Sequence, residues 1–576
     1  MAELLLGPLL RYVGEECAVV WVETDTACEV TVLGTSAPTF AVCGHHYALV
    51  RAEGLEPGRR YEYTVDLDGR AVWPEPDSPF PPSTFRARPK PPPLRVAFGS
   101  CRVGVPHHEP YTLRKDEHPD GHELDPLRAL ALAMADEDPD GWPDLLLLLG
   151  DQVYADEVSP RTREFVQARR DVGEEPGPIA LDYEEYAQLY RESWGDPAIR
   201  WLLSTVSSAM IFDDHDVHDD WNISAAWLEQ IRATDWWEEH IHAAVMSYWV
   251  YQHAGNLSPD EQDRDGLLAR CRAAGDATEL LRELAHASAD GTDGAHWTYH
   301  RDLDGTRLLV IDSRASRQLP PEPAGGAAAD DHAPAGSATP RSMLDEREWE
   351  WISEHLDGDF DHLLIASSVP WLLSPGMHYV EAWSEAVCAG AWGGLAARVG
   401  ERLRQAGDLE HWAAFGESFA QLADLQRQVG AGERGRPPRT IVTLSGDVHH
   451  AYASEVAFPR AAGVRSAVYQ AVCSPLRNPL DARERQVIRF GASRAAHAVG
   501  RALARTAGVG DPPVRWRSVG DGPWFDNQVA SLRIDGDSNV LAFDKAKPGP
   551  SAGEPRLERV FERELGGPGG PVRPPA

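Results

Sequence analysis

Through about residue 88 the apolar side chains fall in short runs rich in Val, Tyr and Thr: CAVVWVET, CEVTVLG, YALVRAEGL and YEYTVDLDG. Gly, Asp and Pro turns separate these runs, and the pattern predicts an all-β unit over residues 1–88. Residues 89–94, with three successive prolines, predict a stiff linker. Beyond it the period changes. RVAFGSC, DLLLLLGD, SSAMIFDD, TRLLVIDSR, DHLLIASSV, TIVTLSGD and SAVYQAVCS read as buried strands, while LDPLRALALAMADE, DYEEYAQLYRESW and the Trp-rich stretch 225–253 read as helices. Strands alternating with helices predict an α/β domain over residues 95–546. Residues 318–341 are low in complexity and read as a mobile surface loop. Over 547–576, the spacing of Leu557, Val560, Phe561 and Leu565 predicts a short amphipathic helix followed by a disordered GGPGGPVRPPA tail.

Composition narrows the picture. Lys and Arg number 55 and Asp and Glu 90, a formal charge of −35. Long-range repulsion at that charge argues against a stable nucleic-acid partner or a general binder of anionic membranes, and leaves room for a small phosphorylated substrate held by local cations. The seven cysteines are scattered and form no Cys-x-x-Cys pair, which fits a reducing compartment. The start, MAELLLGPLLRYVG, has no basic opening and no twin arginine, and no run of about 18 apolar residues follows. These features predict a soluble cytoplasmic protein without a membrane span. Within the β-rich unit, LEPGRRY ending at Tyr61 is similar to the tyrosine corner of fibronectin type III and immunoglobulin-like sandwiches, in which the Tyr bonds back to backbone just upstream.

The candidate chemistry sits where strands end. Cys101 follows RVAFGS, Asp151 follows LLLLLG, Asp213 and Asp214 follow SSAMIF, and Asp447 follows TIVTLSG. In an open α/β sheet, ligands bind outside the carboxyl ends of strands. One Asp there is usually a turn or cap residue; four such motifs together, with histidines, point to a shared site. In GDQVY, Asp151 can bridge two cations and Tyr154 can return to one of them, and a phenolate favours a highly charged ion such as ferric iron. In DDHDVHDDWN, five carboxylates and two histidines share ten positions, a density of charge that bound cations would relieve. SGDVHHAY adds Asp447, His449 and His450. Cys101 on chemistry alone stays open between a buried hydrophobe, a nucleophile and a thiolate ligand.

In this order, FGSC, GDQVY, DDHDVHDDWN and SGDVHHAYASEV resemble the PhoD-like (alkaline phosphatase D) branch of the calcineurin-like metallophosphoesterases, over nearly the whole chain. The resemblance implies a four-layer αββα sandwich preceded by an immunoglobulin/fibronectin-like β-sandwich. It implies a site using Fe3+ with Ca2+, where Mn2+, Zn2+ or Mg2+ are the alternative ions. Cys101, Asp151, Tyr154 and Asp447 would be ligands on the iron side, with Asp151 bridging. Asp214 would join the ligand set, and Asp219 or Asp220, with His449, would serve the second metal. His215 would contact phosphate or donate a proton. Two departures stand out: Gly99-Ser100-Cys101 replaces the superfamily's Asp-x-His opening, and the secretion signal common in founding members is missing.

The reaction implied is hydrolysis of a phosphate ester by a metal-bound hydroxide, with His215, Asp151 and Arg314 as catalytic residues. Arg102, Arg314 and Arg477 each follow a strand and are candidates to fork onto phosphate, and Trp371 is a candidate pocket wall. Trp227, Trp236, Trp237 and Trp249 read as packing, and His240 and His242 as core residues. Residues 477–517 carry nine Arg against Asp481, Glu484 and Asp511, a local charge of +6. This is either a solvated helix or a guide for phosphodiesters, lipids or nucleotides. The competing readings are a phospholipase-D-like or nuclease-like phosphodiesterase and, in another class, a metal-stabilised binding protein without catalysis.

Overall fold

The computed structural model describes residues 1–89, 93–289, 296–319, 341–550 and 554–566. The core of the proline linker (90–92), most of the low-complexity stretch (320–340) and the tail (567–576) lie outside the described residues.

The N-terminal unit is strand-rich, as its short β-branched runs predict. One four-stranded sheet orders Leu4–Val13, Cys17–Thr24, His45–Glu53 and Phe40–Val42; another orders Thr35–Pro38, Glu29–Val32, Val65–Leu67 and Arg70–Trp73. Tyr61 Oη accepts a hydrogen bond of 2.7 Å from the Glu56 backbone N–H, the upstream contact that the LEPGRRY segment predicts. Strand Cys17–Thr24 is apolar on both faces because both are covered. Ala18, Val20 and Val22 join the unit's own core, while the alternate residues Val19 and Trp21 join the core of the larger body. Burial of each such valine is worth about 1.5–3 kcal/mol. Arg11 crosses the same boundary, donating to Tyr251 O (2.6 Å), Gln252 O (2.8 Å) and Asn256 Oδ1 (2.9 Å).

The body is a mixed α/β structure built on two sheets. The first orders Ser207–Ile211, Leu145–Leu149, Leu94–Gly99, Gln528–Asp535, Ser538–Pro548 and Pro555–Glu564. The second orders Tyr299–Leu303, Thr306–Ile311, His362–Ser367, Thr440–Ser445, Ala467–Val472, Ala451–Ala457 and Arg515–Trp524. The strands with continuous apolar runs pair in parallel and are buried on both faces, which is why no alternation shows in LLLLL. In the second sheet the side chains divide by parity. Leu308, Val310, Leu364, Val442 and Leu444 face the core shared with the first sheet, and Leu309, Ile311, Leu363, Ile365 and Ile441 face helix residues such as Trp349 and Phe419.

The predicted helices form with ordinary caps. Pro126–Asp136 starts from Asp125, whose carboxylate accepts from Leu127 N at 2.8 Å, and Tyr183–Trp194 starts from Asp182. The stretch 225–253 divides into Ala225–Arg232, Trp237–Ser247 and a π-helical Tyr248–His253.

The amphipathic helix expected around Leu557 is a strand instead. Pro555–Glu564 pairs antiparallel with Ser538–Pro548 at the edge of the first sheet, and a bulge shifts the register between Phe543 and Asp544. The bulge explains the misleading period. Leu557 stands opposite Ala546 and Phe561 opposite Phe543, so one extra residue gives a strand the spacing of a helix face. Phe561 then meets Trp524 and Phe543 at ring-centroid distances of 4.8 and 5.4 Å, tying this edge to the second sheet.

Candidate metal centre

Four loops leave the carboxyl ends of strands from both sheets and interlock. Cys101 N donates to Gly150 O (3.3 Å), Arg102 N to Asp151 O (3.1 Å), and Asp447 N to Ser100 Oγ (2.9 Å). Ser474 Oγ donates to Cys101 Sγ at 3.2 Å, and the thiol points to Asp447 O at 3.6 Å. Turning side chains inward at strand ends requires left-handed backbone at non-glycine residues: Cys101 (φ 58°), Asp151 (49°), Asp447 (67°) and His449 (52°). Such conformations cost of order 1–3 kcal/mol each and persist where surrounding structure imposes them. Gly150 is required by contact as well as by its φ of 105°, since a Cβ there would lie 2.5 Å from Asp213 Cβ.

The result is three overlapping groups of ligand-competent atoms, each group within 4.8 Å: Cys101, Asp151 and His449; Asp151, Asp214 and His215; Asp213, Asp214 and Asp447. Tyr154 joins through its Oη, 3.4 Å from Asp151 Oδ2, and accepts from Asn478 Nδ2 at 3.1 Å. Asp151 Oδ1 and Asp213 Oδ2 are buried without a hydrogen-bond partner, and so is Asp220 Oδ1. Orphaned carboxylate oxygens at this depth are costly. Cations would satisfy them, so the donor set fits metal ions.

The electrostatics agree. Burial, followed by the charges of Asp151 and Asp447, raises the Cys101 thiol well above its ordinary value. Burial first, then neighbouring Asp213, Asp214 and Asp216, raises Asp151. Burial pushes Asp220 up to about 9, helped by Glu410, Asp219 and Asp408. A bound cation reverses each of these shifts by stabilising the ionised form. Burial pushes His449 down to about 3, which keeps the imidazole neutral and able to coordinate. His215 moves the other way: burial opposes its charge, but Asp156 overcomes that, by charge and by hydrogen bonds to Nδ1 at 3.0 and 3.1 Å.

Several expected residues stand elsewhere. Arg102 is buried and donates to Asp125 Oδ2 through Nε (3.0 Å) and Nη2 (2.7 Å), and Arg477 is buried and donates to the carbonyls of Val105 and Pro106. Both guanidiniums brace the loop after Gly99 and are not free for phosphate. Trp371 is fully buried, stacked on Phe419 at 5.4 Å, and lines no cleft. Arg314 is fully buried too; it donates to Asp213 Oδ1 and Glu410 and lies 3.2 Å from Asp214 and 3.5 Å from Asp447. Its guanidinium is thus buried among the carboxylates of the site and neutralises them. The Asp219 side chain is 60 % exposed, at the rim, with Oδ1 3.8 Å from His215 Nε2.

Sequence reasoning missed four groups. Asp156 orients His215. His411 bridges Glu381 (2.6 Å) and Asp447 (2.9 Å), and its charge, with Arg314, holds Asp447 well below the carboxylate range despite burial. Glu410 accepts from both Arg314 and Arg317. Lys115, exposed on the loop that Arg477 braces, lies close enough to help depress His449. None of the four ends an apolar run, so only the residue types of Asp156, His411 and Glu410 could have flagged them, and nothing local flags Lys115.

Residues 130–507 match the family model described as PhoD-like phosphatase, and residues 1–85 match a domain of unknown function (DUF7800). No curated protein matches the chain significantly. A solved structure described as "Structure of PhoD" shares the fold, with a TM-score of 0.56 and 14% identity, covering 97% of this chain and 89% of that one.

Proposed function

Because this chain belongs to the PhoD-like phosphatase family, we propose that it is a metal-dependent hydrolase of phosphate esters, working where the two sheets meet. The observation that carries this reading is the set of three ligand groups sharing Asp151 and Asp214, with orphaned carboxylate oxygens among them. In this reading the two sheets and their flanking helices make a four-layer αββα sandwich that runs past residue 546 to include the strand Pro555–Glu564, and residues 1–88 an immunoglobulin/fibronectin-like sandwich.

Cys101, Asp151, Tyr154, Asp447 and His449 would hold one ion, and Asp151 with Asp214, Asp213 and Asp220 a second. The thiolate and phenolate suit ferric iron, and the oxygen-only side suits calcium. When bound, such ions supply positive charge to phosphate oxygens and acidify water. The chain's own part is proton handling and positioning. Asp156 fixes the Nδ1 proton of His215 and keeps the ring cationic, so Nε2 can donate to the leaving oxygen. Arg314 and His411 set the carboxylates by charge. Lys115 supplies the solvent-facing cation for the phosphate of a small phosphorylated substrate. No described helix is long and apolar enough to cross a membrane.

The test is hydrolysis of a chromogenic phosphomonoester and phosphodiester by protein loaded with iron and calcium, beside an Asp151→Asn control. Metal-dependent turnover lost in the control supports the reading, and the ratio of rates chooses between monoesterase and diesterase. Stoichiometric metal with no hydrolysis of either ester would favour the binding-protein reading.

A further inference from the structure

The basic stretch after Arg477 is two helices, Ala482–Gly491 and Arg494–Thr506, and their outward faces are apolar as well as basic. On the first, Arg483, Gln486, Val487 and Phe490 recur at one-face spacing and are all exposed, Val487 by 64% and Phe490 by 65%. The second buries Ala496, Gly500 and Ala504 against the helix Pro375–Cys388, where a Cβ on Gly500 would stand 2.7 Å from Gly376 O. Its outer face therefore presents Ala495, Ala498, Val499 and Ala502 to solvent, with Arg494 and Arg505 at the edges. Trp392 Nε1 donates to Thr506 O at 3.1 Å, joining this face to the helix Gly394–Ala406, whose Leu395, Val399 and Leu403 are also exposed.

We propose that the helix pair Ala482–Gly491 and Arg494–Thr506 is a docking surface for an anionic lipid membrane. Charge names the occupant. The chain carries −35 overall, yet these two helices carry six arginines against Glu484. Arg485 pairs with Glu123 and Asp526, and Arg501 and Arg505 with Asp511, so Arg483, Arg489 and Arg494 carry the positive surplus beside side chains suited to the boundary between headgroups and acyl chains. A second copy of the chain fits poorly: a two-fold contact through this face would bring the arginines of one copy towards those of the other, between two strongly acidic molecules. The position is also telling. The first helix starts just after Asn478, which donates to Tyr154 Oη, and its Arg489 lies over the ring of Phe525 (4.9 Å), itself 6.0 Å from His450. Membrane docking would therefore set the mouth of the metal centre at the headgroup layer.

The test is flotation of the metal-loaded full chain with vesicles of phosphatidylcholine alone and of phosphatidylcholine with phosphatidylglycerol. Binding should be at least tenfold stronger to the anionic vesicles. Val487→Asp with Phe490→Asp should weaken it by about tenfold per side chain. R483Q, R489Q and R494Q together should weaken it by about fivefold per arginine and flatten its salt dependence. Because these positions are exposed, the variants should keep the wild-type thermal midpoint; as a milder pair, Val487→Ser with Phe490→Ser should show the same direction. Equal partition of the wild type onto both vesicles, no partition at all, or undiminished binding by the variants overturns the proposal. So does a concentration-dependent dimer that the double variant dissolves, which would assign the face to a second copy.

Discussion

Asp156 grips His215 from behind, with both carboxylate oxygens within 3.1 Å of Nδ1, while Nε2 faces the carboxylates of the metal centre. The pair behaves as an acid with its proton held in place. Replacing Asp156 with Asn removes the charge that keeps the ring cationic. Turnover needs the protonated ring, so activity falls as pH rises through the His215 pKa. In D156N that alkaline limb should move to lower pH, with kcat down by about ten- to a hundredfold and KM little changed. His215→Asn should cost about 10²–10⁴ in kcat. A pH–rate profile of the three proteins checks both, and coincident alkaline limbs would exclude the dyad.

Lys115 offers the solvent-side positive charge that Arg102 and Arg477, locked in their own contacts, do not. Lys115→Ala should raise KM for a phosphate ester about tenfold at low ionic strength, leaving kcat nearly intact, and added salt should shrink the difference. Steady-state kinetics at two salt concentrations measures this. Equal KM values would remove Lys115 from substrate binding.

Metal binding should stabilise the chain as well as activate it. Without cations, buried Asp151, Asp213 and Asp214 repel one another, with their pKa values raised by burial and by that proximity. Each ion at a hundredfold excess over its Kd should add about 2.7 kcal/mol of stability for the site it fills. The Asp151→Asn protein should gain much less. Calorimetric melting after chelation and after reloading reads the effect, and an unchanged midpoint would count against the site.

Acid stability should be set partly outside the ligand set, at His378. This ring is buried between Phe419 and Trp516, at 4.7 and 4.9 Å, with no partner at Nδ1, and burial pushes its pKa from 6.5 down to about 3. The unfolded chain protonates here below 6.5 and the folded one does not. Stability from this residue is therefore whole above pH 6.5 and is lost as pH falls towards 3, by up to about 1.4 kcal/mol per unit. Urea unfolding at pH 7 and pH 5 should show a shallower loss for His378→Phe than for the wild type. Parallel losses would mean that His378 is already charged in the fold.

Much of the centre was legible because burial and chemistry coincide there. Asp151 and Asp447 end runs that nothing but a covered strand would carry, and Cys101 follows another. His411 and Asp156 end no such run. Their importance comes from partners 36 and 59 positions away in sequence, which no local period encodes. Arg102 shows the converse failure. An arginine after a strand reads the same whether it meets a phosphate or a carboxylate, and here Asp125 is the partner, 23 positions on. The last strand was missed because a single bulge gave Leu557 and Phe561 a helical spacing.

The contact between the Cys101 thiol and the Asp447 carbonyl spans 346 positions of chain. Its two ends arise on different sheets, so no fragment of the sequence folded alone contains the whole ligand set. During synthesis, the first three motifs emerge and can pair their parallel strands well before the fourth exists. Closing a loop of that length carries a large entropic cost, and contacts of such separation form slowly. The complete ligand set therefore exists only where the two sheets are docked, and the affinity for metal reports on that docking.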